Sequence, residues 1–232
     1  MQTQKAVSFH LLKLVRAIQS LPEFNDFRLV GGSALALQLG HRTSVDIDLF
    51  PEKSIDKNQL FSILPAKFRN IRDMIDRGIG VVCHINDIKV DFFYDGGKFI
   101  RHPVQKCGIA MASPEDIVAM KLNAITNRAV QKDFYDIAVL TEKFTIREML
   151  RFYREKYFFM DVRGPVEHLI KHDAAAHDQN PVHPLISLTW KEATKKIDQA
   201  YNLFISETKS AKQKEIEQRL KKAEEIIAKK KR

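Results

Sequence analysis

Apolar residues recur at helical spacing in the first part of the chain. Phe9, Leu12, Val15 and Ile18 follow one another at three-residue intervals, so they lie on one face of a helix. Pro22 comes soon after this segment and cannot continue a helical hydrogen-bond ladder. The pattern therefore predicts an amphipathic first helix that ends before residue 22.

Short β-rich runs separated by turn residues follow this helix. Strands are predicted at residues 27–30, 44–50, 80–85 and 88–94 and near residue 109. Helices are predicted between them at residues 34–39 and 57–64. Ser33 is in position to cap the first of these helices and Gly40 to end it, while Asn86-Asp87 is typical of a hairpin turn.

The second half of the chain is predicted to be helical. Ser113 and Asp116 have the spacing of a capping box, and Pro114 occupies the first helical position of a segment that runs to about Asn127. Three further helices are predicted at residues 132–141, at residues 146–157 and from about residue 190 onward. Strands in the first half and helices in the second predict an α+β fold with a mixed sheet and a helical C-terminal portion.

The domain organisation follows from the same change of pattern. We expect a core over residues 1–112, a helical domain over residues 113–208 and a basic tail over residues 209–232. The formal net charge is +9, and the tail accounts for ten Lys and Arg against four Asp and Glu, or +6. Such a tail can bind phosphates by counterion release, but a solvated helix end is the more common meaning of a Lys- and Glu-rich terminus.

Cysteine usage and hydropathy indicate where the chain resides. Cys83 and Cys107 suit a reducing compartment, and no stretch reaches the ~18 uncharged apolar residues of a membrane span. Lys13 and Arg16 interrupt the apolar N-terminal segment, and no small-residue cleavage site follows, which argues against a signal peptide. We expect a cytoplasmic protein with no membrane partner.

Paired aspartates carry the first candidate chemistry. Asp46 and Asp48 are two residues apart on a predicted strand, so their side chains project from the same face. Two like charges held that close are costly unless a cation lies between them. A divalent ion such as Mg²⁺, which prefers a few carboxylates together with phosphate oxygens, meets that need. Exposed strand ends also carry such pairs for solubility alone.

A glycine pair precedes these aspartates. Gly31, Gly32 and Ser33 lie between a predicted strand and a helix start, where backbone N–H groups and the helix N-terminus attract an anion. The same residues also suit an ordinary tight turn. The combination of a phosphate cradle and a carboxylate pair on consecutive elements is less common than either feature alone.

Asp91 supplies a third carboxylate. It alternates with Val90 and Phe92, so it faces away from these apolar neighbours on a strand that can lie beside the first pair. Three carboxylates from two strands can hold two metal ions for in-line phosphoryl displacement. Asp46, Asp48 and Asp91 are therefore the predicted metal ligands and catalytic carboxylates.

These motifs together resemble a known family. The segments GGSALALQLGHRTSVDIDLF, KVDFF and KLNAITNRAVQKDFYDI are similar, in this order, to the AbiEii/AbiGii-type toxin family, a branch of the DNA polymerase β-like nucleotidyltransferase superfamily. The resemblance covers about residues 27–140, with a weaker similarity around Trp190. It implies that Gly32 and Ser33 bind a triphosphate, that Asp46 and Asp48 ligate metal, and that Asp91 is a less uniform third carboxylate.

The resemblance also assigns roles on the helical side. Lys121 matches the lysine motif of the family and Asp133 its fourth motif, with Asp136 one turn further on. Arg128 is seven residues beyond Lys121, so both can meet phosphate charge from one helix face. A salt-bridged helix pair, in which Arg128 or Lys132 neutralises the two aspartates, is the structural alternative. Both can hold together.

The functional expectation is transfer of a nucleoside monophosphate from a nucleoside triphosphate to an acceptor, with Mg²⁺ or Mn²⁺. The family resemblance implies the toxin of a toxin–antitoxin or phage-defence pair, with a separately encoded antitoxin as its partner. Some relatives modify the acceptor end of transfer RNA, which makes transfer RNA a candidate acceptor. Two alternatives stay open: a nucleotide- or RNA-binding module without turnover, and an enzyme that moves phosphate or nucleotide onto a protein.

Overall fold

The computed structural model describes the backbone of residues 3–230 and the side chains of residues 5–219. The strands are β1 (Arg28–Leu29), β2 (Ile47–Phe50), β3 (Ile71–Asp76), β4 (Gly80–Ile85), β5 (Ile88–Phe93), β6 (Val104–Lys106) and β7 (Ile109–Met111). The helices are α1 (Thr3–Ala6), α2 (Phe9–Gln19), α3 (Gly31–Leu39), α4 (Lys57–Lys67), α5 (Pro114–Asn127), α6 (Gln131–Leu140), α7 (Ile146–Lys156), α8 (Arg163–His168) and α9 (Trp190–Lys230). Short 3₁₀ turns cover Pro22–Phe24 and His172–Ala175.

All seven strands belong to one mixed sheet. Their order is β3-β4-β5-β2-β1-β7-β6. The β2–β5 and β1–β7 pairs are parallel, and the remaining neighbours are antiparallel. The central strands β2 and β5 pair in the register that sets Asp48 opposite Asp91. This mixed sheet followed by helices confirms the predicted α+β fold.

The two faces of the central strands have different partners. Ile47 and Leu49 on β2 and Val90 and Phe92 on β5 have no accessible surface and form the core. Burial of each such side chain contributes about 1.5–3 kcal/mol. Because side chains alternate along a strand, the intervening aspartates face the other side of the sheet. The strong apolar positions thus determine which way the acidic residues point.

The helices after residue 112 pack against one another and against the edge of the sheet region. Helix α5 contacts α7, α6 and α3, and α9 lies along α6 through the buried residues Ala193 and Ile197. From residue 206 to residue 219 every side chain of α9 is exposed. The division into two domains and the role of the tail stay predictions, and the tail's side chains beyond residue 219 lie outside the described residues.

The hydrophobic pattern of the sequence does not predict two of the strands. Strand β3 carries charged residues where an alternating pattern needs apolar ones, and it is held by its backbone pairing with β4. Strand β6 has only three residues and lies at the other edge of the sheet. Short or charged edge strands are typical of natural sheets, because they discourage further strand pairing. The hydrophobic period therefore carries no signal for them.

Two predicted local details are wrong. The strand predicted from residue 44 begins only at Ile47. Ser44 instead forms an isolated parallel bridge with Val7 and donates its backbone N–H to the carbonyl oxygen of Ala6. At α5, Ser113 Oγ does cap the Asp116 N–H (3.0 Å). The Asp116 carboxylate, however, accepts from the N–H groups of Ile100 and Arg101, so the reciprocal half of the capping box is replaced by a long-range contact.

Within residues 3–230 no helix combines the length and the apolar character needed to cross a membrane.

Candidate active site

A cavity of about 270 Å³ lies where β2, β5, the start of α3 and the helix α5 meet. Its polar side contains Gly31, Asp48, Asp91, Lys121 and Arg128. The apolar part of its lining is formed by Phe50, Phe93, Met120, Ala124 and Tyr157. A pocket with one apolar wall and a few convergent charged groups is typical of a nucleotide or cofactor site.

Asp48 and Asp91 face each other across the two parallel strands. Burial, together with the nearby charge of Asp91, raises the pKa of Asp48 to about 6. Asp91 is 7% exposed; its Oδ2 accepts from the Lys89 ammonium, while its buried Oδ1 has no hydrogen-bond partner. Among the described residues, only Lys89 forms an ion pair with these two close carboxylates, so their negative charge is compensated only in part. Hard carboxylate oxygens in this state fit a divalent cation.

Gly31 brings the start of α3 against this pair. Its φ is +65°, and a Cβ atom there would lie 2.5 Å from Asp48 Oδ2. Only glycine accepts both the left-handed backbone and the close carboxylate without strain. The N–H groups of the first helical turn, which have no partner within a helix, therefore lie beside the carboxylates at the cavity wall.

Gly32 and Ser33 also contact the segment before β2. A Cβ on Gly32 would overlap the Arg42 guanidinium, so this glycine makes room for a buried ion pair. Ser33 lies inside α3, whose N-cap is Val30, and its buried hydroxyl donates to the carbonyl of Asp46. The expectation that Ser33 caps the helix is wrong. Its hydroxyl holds the strand start in place and does not line the cavity.

Asp46 lies apart from the other two carboxylates. Its side chain is 37% exposed, 3.9 Å from the Lys132 ammonium, and it lines a second pocket with Arg42 and Asn180. It precedes β2, where the regular alternation of side chains begins, so the spacing argument does not apply to it. Over the described side chains, no three His, Cys, Asp or Glu groups form a ready metal-ligand set. The structure thus brings together two of the three predicted ligands.

A buried ion-pair network forms the floor of the site. Lys121 donates to Asp133 Oδ1 (2.7 Å) and contacts Asp136 Oδ2 (2.6 Å). Arg42 donates to both oxygens of Asp136 (2.6 and 2.8 Å), and Arg128 donates from Nε to Asp133 Oδ2 (2.8 Å). The side chains of this segment therefore form the salt-bridged arrangement that the sequence offered as the structural alternative. Arg128 pairs with Asp133, as that alternative predicted, and Arg42 pairs with Asp136 in addition.

The cations of this network lower the pKa values of its aspartates, whereas the pKa of Asp48 in the cavity is raised. The Lys121 and Arg42 charges hold the pKa of Asp136 well below its usual range, although burial acts against them. Lys121 and Arg128 lower the pKa of Asp133 in the same way. The Arg128 side chain remains 56% exposed and lines the cavity, so part of its guanidinium is available to a ligand.

Several cavity residues were not predicted. Phe50 and Phe93 come two positions after Asp48 and Asp91, so strand alternation alone is a signal that would have found them. Asn123 and Tyr157 reach the cavity from α5 and from the end of α7. Asn123 lies in the quoted segment KLNAITNRAVQKDFYDI, where no role was assigned to it, and no motif marks Tyr157, because only helix packing brings it to the cavity.

Solved structures share this architecture. JHP933 from Helicobacter pylori is 18% identical with a TM-score of 0.50, and the match covers 93% of this chain and 98% of that one. MenT4, a nucleotidyltransferase toxin from Mycobacterium tuberculosis H37Rv, is 15% identical with a TM-score of 0.54, covering 83% and 82%. These two matches show the fold that this chain shares with both proteins.

Sequence similarity identifies the family. Residues 13–222 match the family model described as nucleotidyl transferase AbiEii toxin, type IV TA system. The chain belongs to this AbiEii nucleotidyltransferase toxin family. It is also 32% identical over 183 residues to an uncharacterized protein of Aquifex aeolicus (strain VF5), a match that covers 75% of this chain and 86% of that protein. The predicted family and the predicted enzyme class are both confirmed.

Proposed function

We propose that the chain transfers a nucleoside monophosphate from a triphosphate bound in the cavity to a hydroxyl group of an RNA acceptor, with transfer RNA as the first candidate. In this reaction the acceptor oxygen forms a bond to the α-phosphorus, the bond from that phosphorus to the bridging oxygen breaks, and pyrophosphate leaves. The observation that carries the proposal is the uncompensated carboxylate pair, Asp48 and Asp91, beside the N-terminus of α3.

Each side of the cavity has a part in holding the triphosphate. The first-turn N–H groups from Gly31 to Ser33 suit phosphate oxygens, since a helix N-terminus favours negative charge. Arg128 has exposed guanidinium surface at the cavity and can add a second phosphate contact. Phe93 and Met120 offer an apolar wall on which the base can lie.

A divalent cation fits the carboxylate pair. Asp48 and Asp91 would hold Mg²⁺ or Mn²⁺, with Asp46 as a third ligand if its side chain turns away from Lys132. When bound, the ion would neutralise phosphate charge and lower the pKa of the attacking hydroxyl. Lys121 and Asp133 support this site from below, with Lys121 giving two of its three ammonium donors to Asp133 and Asp136. Its remaining donor can reach phosphate charge.

The biological role that we propose is that of a toxin. Family membership implies a cognate antitoxin, encoded separately, and transfer to RNA would give the toxin its target. A role in phage defence follows if the antitoxin is lost during infection. We place the reaction in the cytoplasm, where nucleoside triphosphates and transfer RNA are present.

The test is transfer of label to RNA. We expect purified protein with Mg²⁺ or Mn²⁺ to move label from one or more α-labelled triphosphates to RNA in a total RNA preparation. Asp48→Asn and Asp91→Asn should each lower the rate by about a thousandfold, since metal-assisted charge stabilisation contributes several kcal/mol. The two variants should keep the circular dichroism spectrum of the unchanged protein and a cooperative thermal unfolding transition.

Asp87→Asn is the matched control. Asp87 lies in the β4–β5 turn at a φ of +64°, a conformation that asparagine also accepts, and its side chain is 88% exposed. Its activity should equal that of the unchanged protein. Full activity of Asp48→Asn, or label that appears on protein in place of RNA, would refute the proposal.

A further inference from the structure

A second depression, of about 610 Å³, lies beside the proposed active site between α7 and α9. We call it the α7 groove. The residues that define it are Arg147, Leu150, Arg151, Arg154, Phe158 and Met160. Nothing in the proposed transfer of a nucleotide uses these side chains.

Positive charge lines one side of the groove. Arg147, Arg151 and Arg154 follow one another four and three residues apart, so they lie along one face of α7. Among the described residues, Arg151 and Arg154 form no ion pair, while Arg147 lies 3.6 Å from Glu207. The acidic residue in the groove, Glu155, is already paired with Arg101 at 2.7 Å. The groove therefore presents uncompensated guanidinium groups to solvent.

Two exposed aromatic rings lie at the groove: Phe158 lines it, and Phe159 packs against Phe158. Phe158 is 80% exposed and Phe159 is 54% exposed, and their rings are in contact with centroids 5.4 Å apart. Leaving two adjacent phenylalanines in water forfeits burial energy, so such a patch points to a binding surface. The two rings meet edge to face at 88°, so a planar base can pack against the exposed surface of each ring.

The aromatic pair connects the groove to the cavity. The Phe159 ring contacts the Tyr157 ring, with centroids 6.4 Å apart. Tyr157 in turn lines the cavity and donates its hydroxyl to Asp95 (2.5 Å). One residue, Tyr157, thus separates the aromatic pair from the cavity that contains the carboxylate pair.

We infer that the α7 groove binds the single-stranded end of the acceptor RNA, with bases stacked on Phe158 and Phe159 and the phosphate backbone along Arg151 and Arg154. Alternating stacking surfaces and cationic groups are what binding of a single-stranded nucleic acid requires. The arginines follow one helix face at the spacing of a phosphate backbone, and the rings beside them lead to the cavity through Tyr157, which favours a nucleic-acid strand over a protein partner. The inference rests on the proposed transfer to RNA.

Binding to RNA tests the groove without catalysis. The probe is a fluorescent single-stranded oligouridylate, titrated with the full chain at several salt concentrations. The Phe158→Ala/Phe159→Ala variant should bind about tenfold to a hundredfold more weakly, which corresponds to the loss of base stacking. The Arg151→Glu/Arg154→Glu variant should also bind more weakly, with a slope of log affinity against log salt that is shallower by about 1.4, since two phosphate contacts are lost.

Two control variants match these changes on other faces. Lys13→Glu/Lys67→Glu reverses two exposed charges on α2 and α4, whose main contacts are with β7 and with β3 and β4. Phe9→Ala removes an aromatic side chain that is 69% exposed on α2. All variants should melt at the temperature of the unchanged protein, because the altered side chains are exposed. The controls should bind RNA normally.

Transfer kinetics separate this inference from the proposed function. With total transfer RNA as acceptor, the groove variants should raise the half-saturating RNA concentration about tenfold or more and leave that of the triphosphate unchanged. Groove variants that bind RNA as tightly as the controls do would refute the groove inference, even if the unchanged protein transfers label to RNA. An unchanged protein that labels no RNA but binds oligouridylate through the groove would refute the proposed function alone.

Discussion

Two pairs of carboxylates lie within one site and behave in opposite ways. Asp48 and Asp91 face each other on adjacent strands, and the pKa of Asp48 is raised to about 6. Asp133 and Asp136 are fully buried on α6, and both have lowered pKa values. Burial alone raises the pKa of a carboxyl group, so burial does not account for the difference.

The difference comes from the number of cations beside each pair. Lys121, Arg42 and Arg128 surround the α6 pair, which makes that pair part of the folded framework. Among the described residues, Lys89 alone forms an ion pair with the strand pair, Lys121 acts on Asp48 from a greater distance, and one carboxylate oxygen of Asp91 keeps no hydrogen-bond partner. A buried carboxylate pair with its cations in place is structural, and one without them is available for an ion from solution.

The largest expected effect comes from breaking the compensated pair. Asp136→Asn keeps the shape of the side chain but leaves the buried Arg42 and Lys121 charges without their shared partner. We expect the free energy of unfolding to fall by about 3–5 kcal/mol, as for other broken buried ion pairs. Urea denaturation at neutral pH measures it. Asp87→Asn, at an exposed position, should cost nothing, and an equal loss in both variants would contradict the comparison.

The second prediction compares Lys121 and Arg128, the two cations that belong to the ion-pair network and also line the cavity. The expected loss of stability is smaller than for Asp136→Asn. Lys121 is 4% exposed, whereas the Arg128 side chain is 56% exposed. Lys121→Ala should destabilise by about 2–3 kcal/mol because each aspartate still keeps an arginine. Arg128→Ala should cost less than about 1 kcal/mol, since exposed ion pairs are weak.

Transfer rates complete this second test. We expect Arg128→Ala to lower the single-turnover rate per folded molecule, because it removes a phosphate contact. Lys121→Ala should lower this rate as well if its third donor reaches the phosphate. A normal rate per folded molecule in Lys121→Ala would assign that lysine to the ion-pair network alone.

The smallest effect concerns the uncompensated pair in the absence of metal. Because the folded protein holds the Asp48 proton up to about pH 6 and the unfolded chain releases it near pH 4, ionisation of Asp48 costs stability as the pH rises through this window. Asp48→Asn removes that cost. In the presence of a chelator we expect it to be more stable than the unchanged protein by about 1–2 kcal/mol at pH 7.

The sign of this effect is tested by how the stability difference between Asp48→Asn and the unchanged protein varies with pH. The advantage of Asp48→Asn should shrink between pH 6 and pH 4, since the unchanged protein then regains its proton. Unfolding curves at several pH values measure it. Added Mg²⁺ should reverse the order of stability, because only the unchanged protein retains both carboxylates. A stability difference that does not vary with pH would contradict the assigned repulsion.

The sequence predicted the parts of the site that depend on local pattern. Alternation with Val90 and Phe92 correctly predicted that Asp91 faces away from the core, and the glycine pair correctly marked the start of a helix. Asp46 is a residue for which the local spacing argument failed. Its spacing from Asp48 implied a shared direction, but the strand begins only after it, and its side chain lies near Lys132. Spacing predicts direction only where the backbone is regular.

The sequence by itself determined the α+β order of elements, the family and the two central carboxylates, because apolar periods and short motifs act over a few residues. Only the tertiary structure decided which charges are compensated. Arg42 and Asp136 are 94 residues apart in the chain and yet share two hydrogen bonds. Phe159 likewise reaches the cavity through Tyr157. Charge compensation depends on distances of a few ångströms between remote segments, and these distances are set by packing.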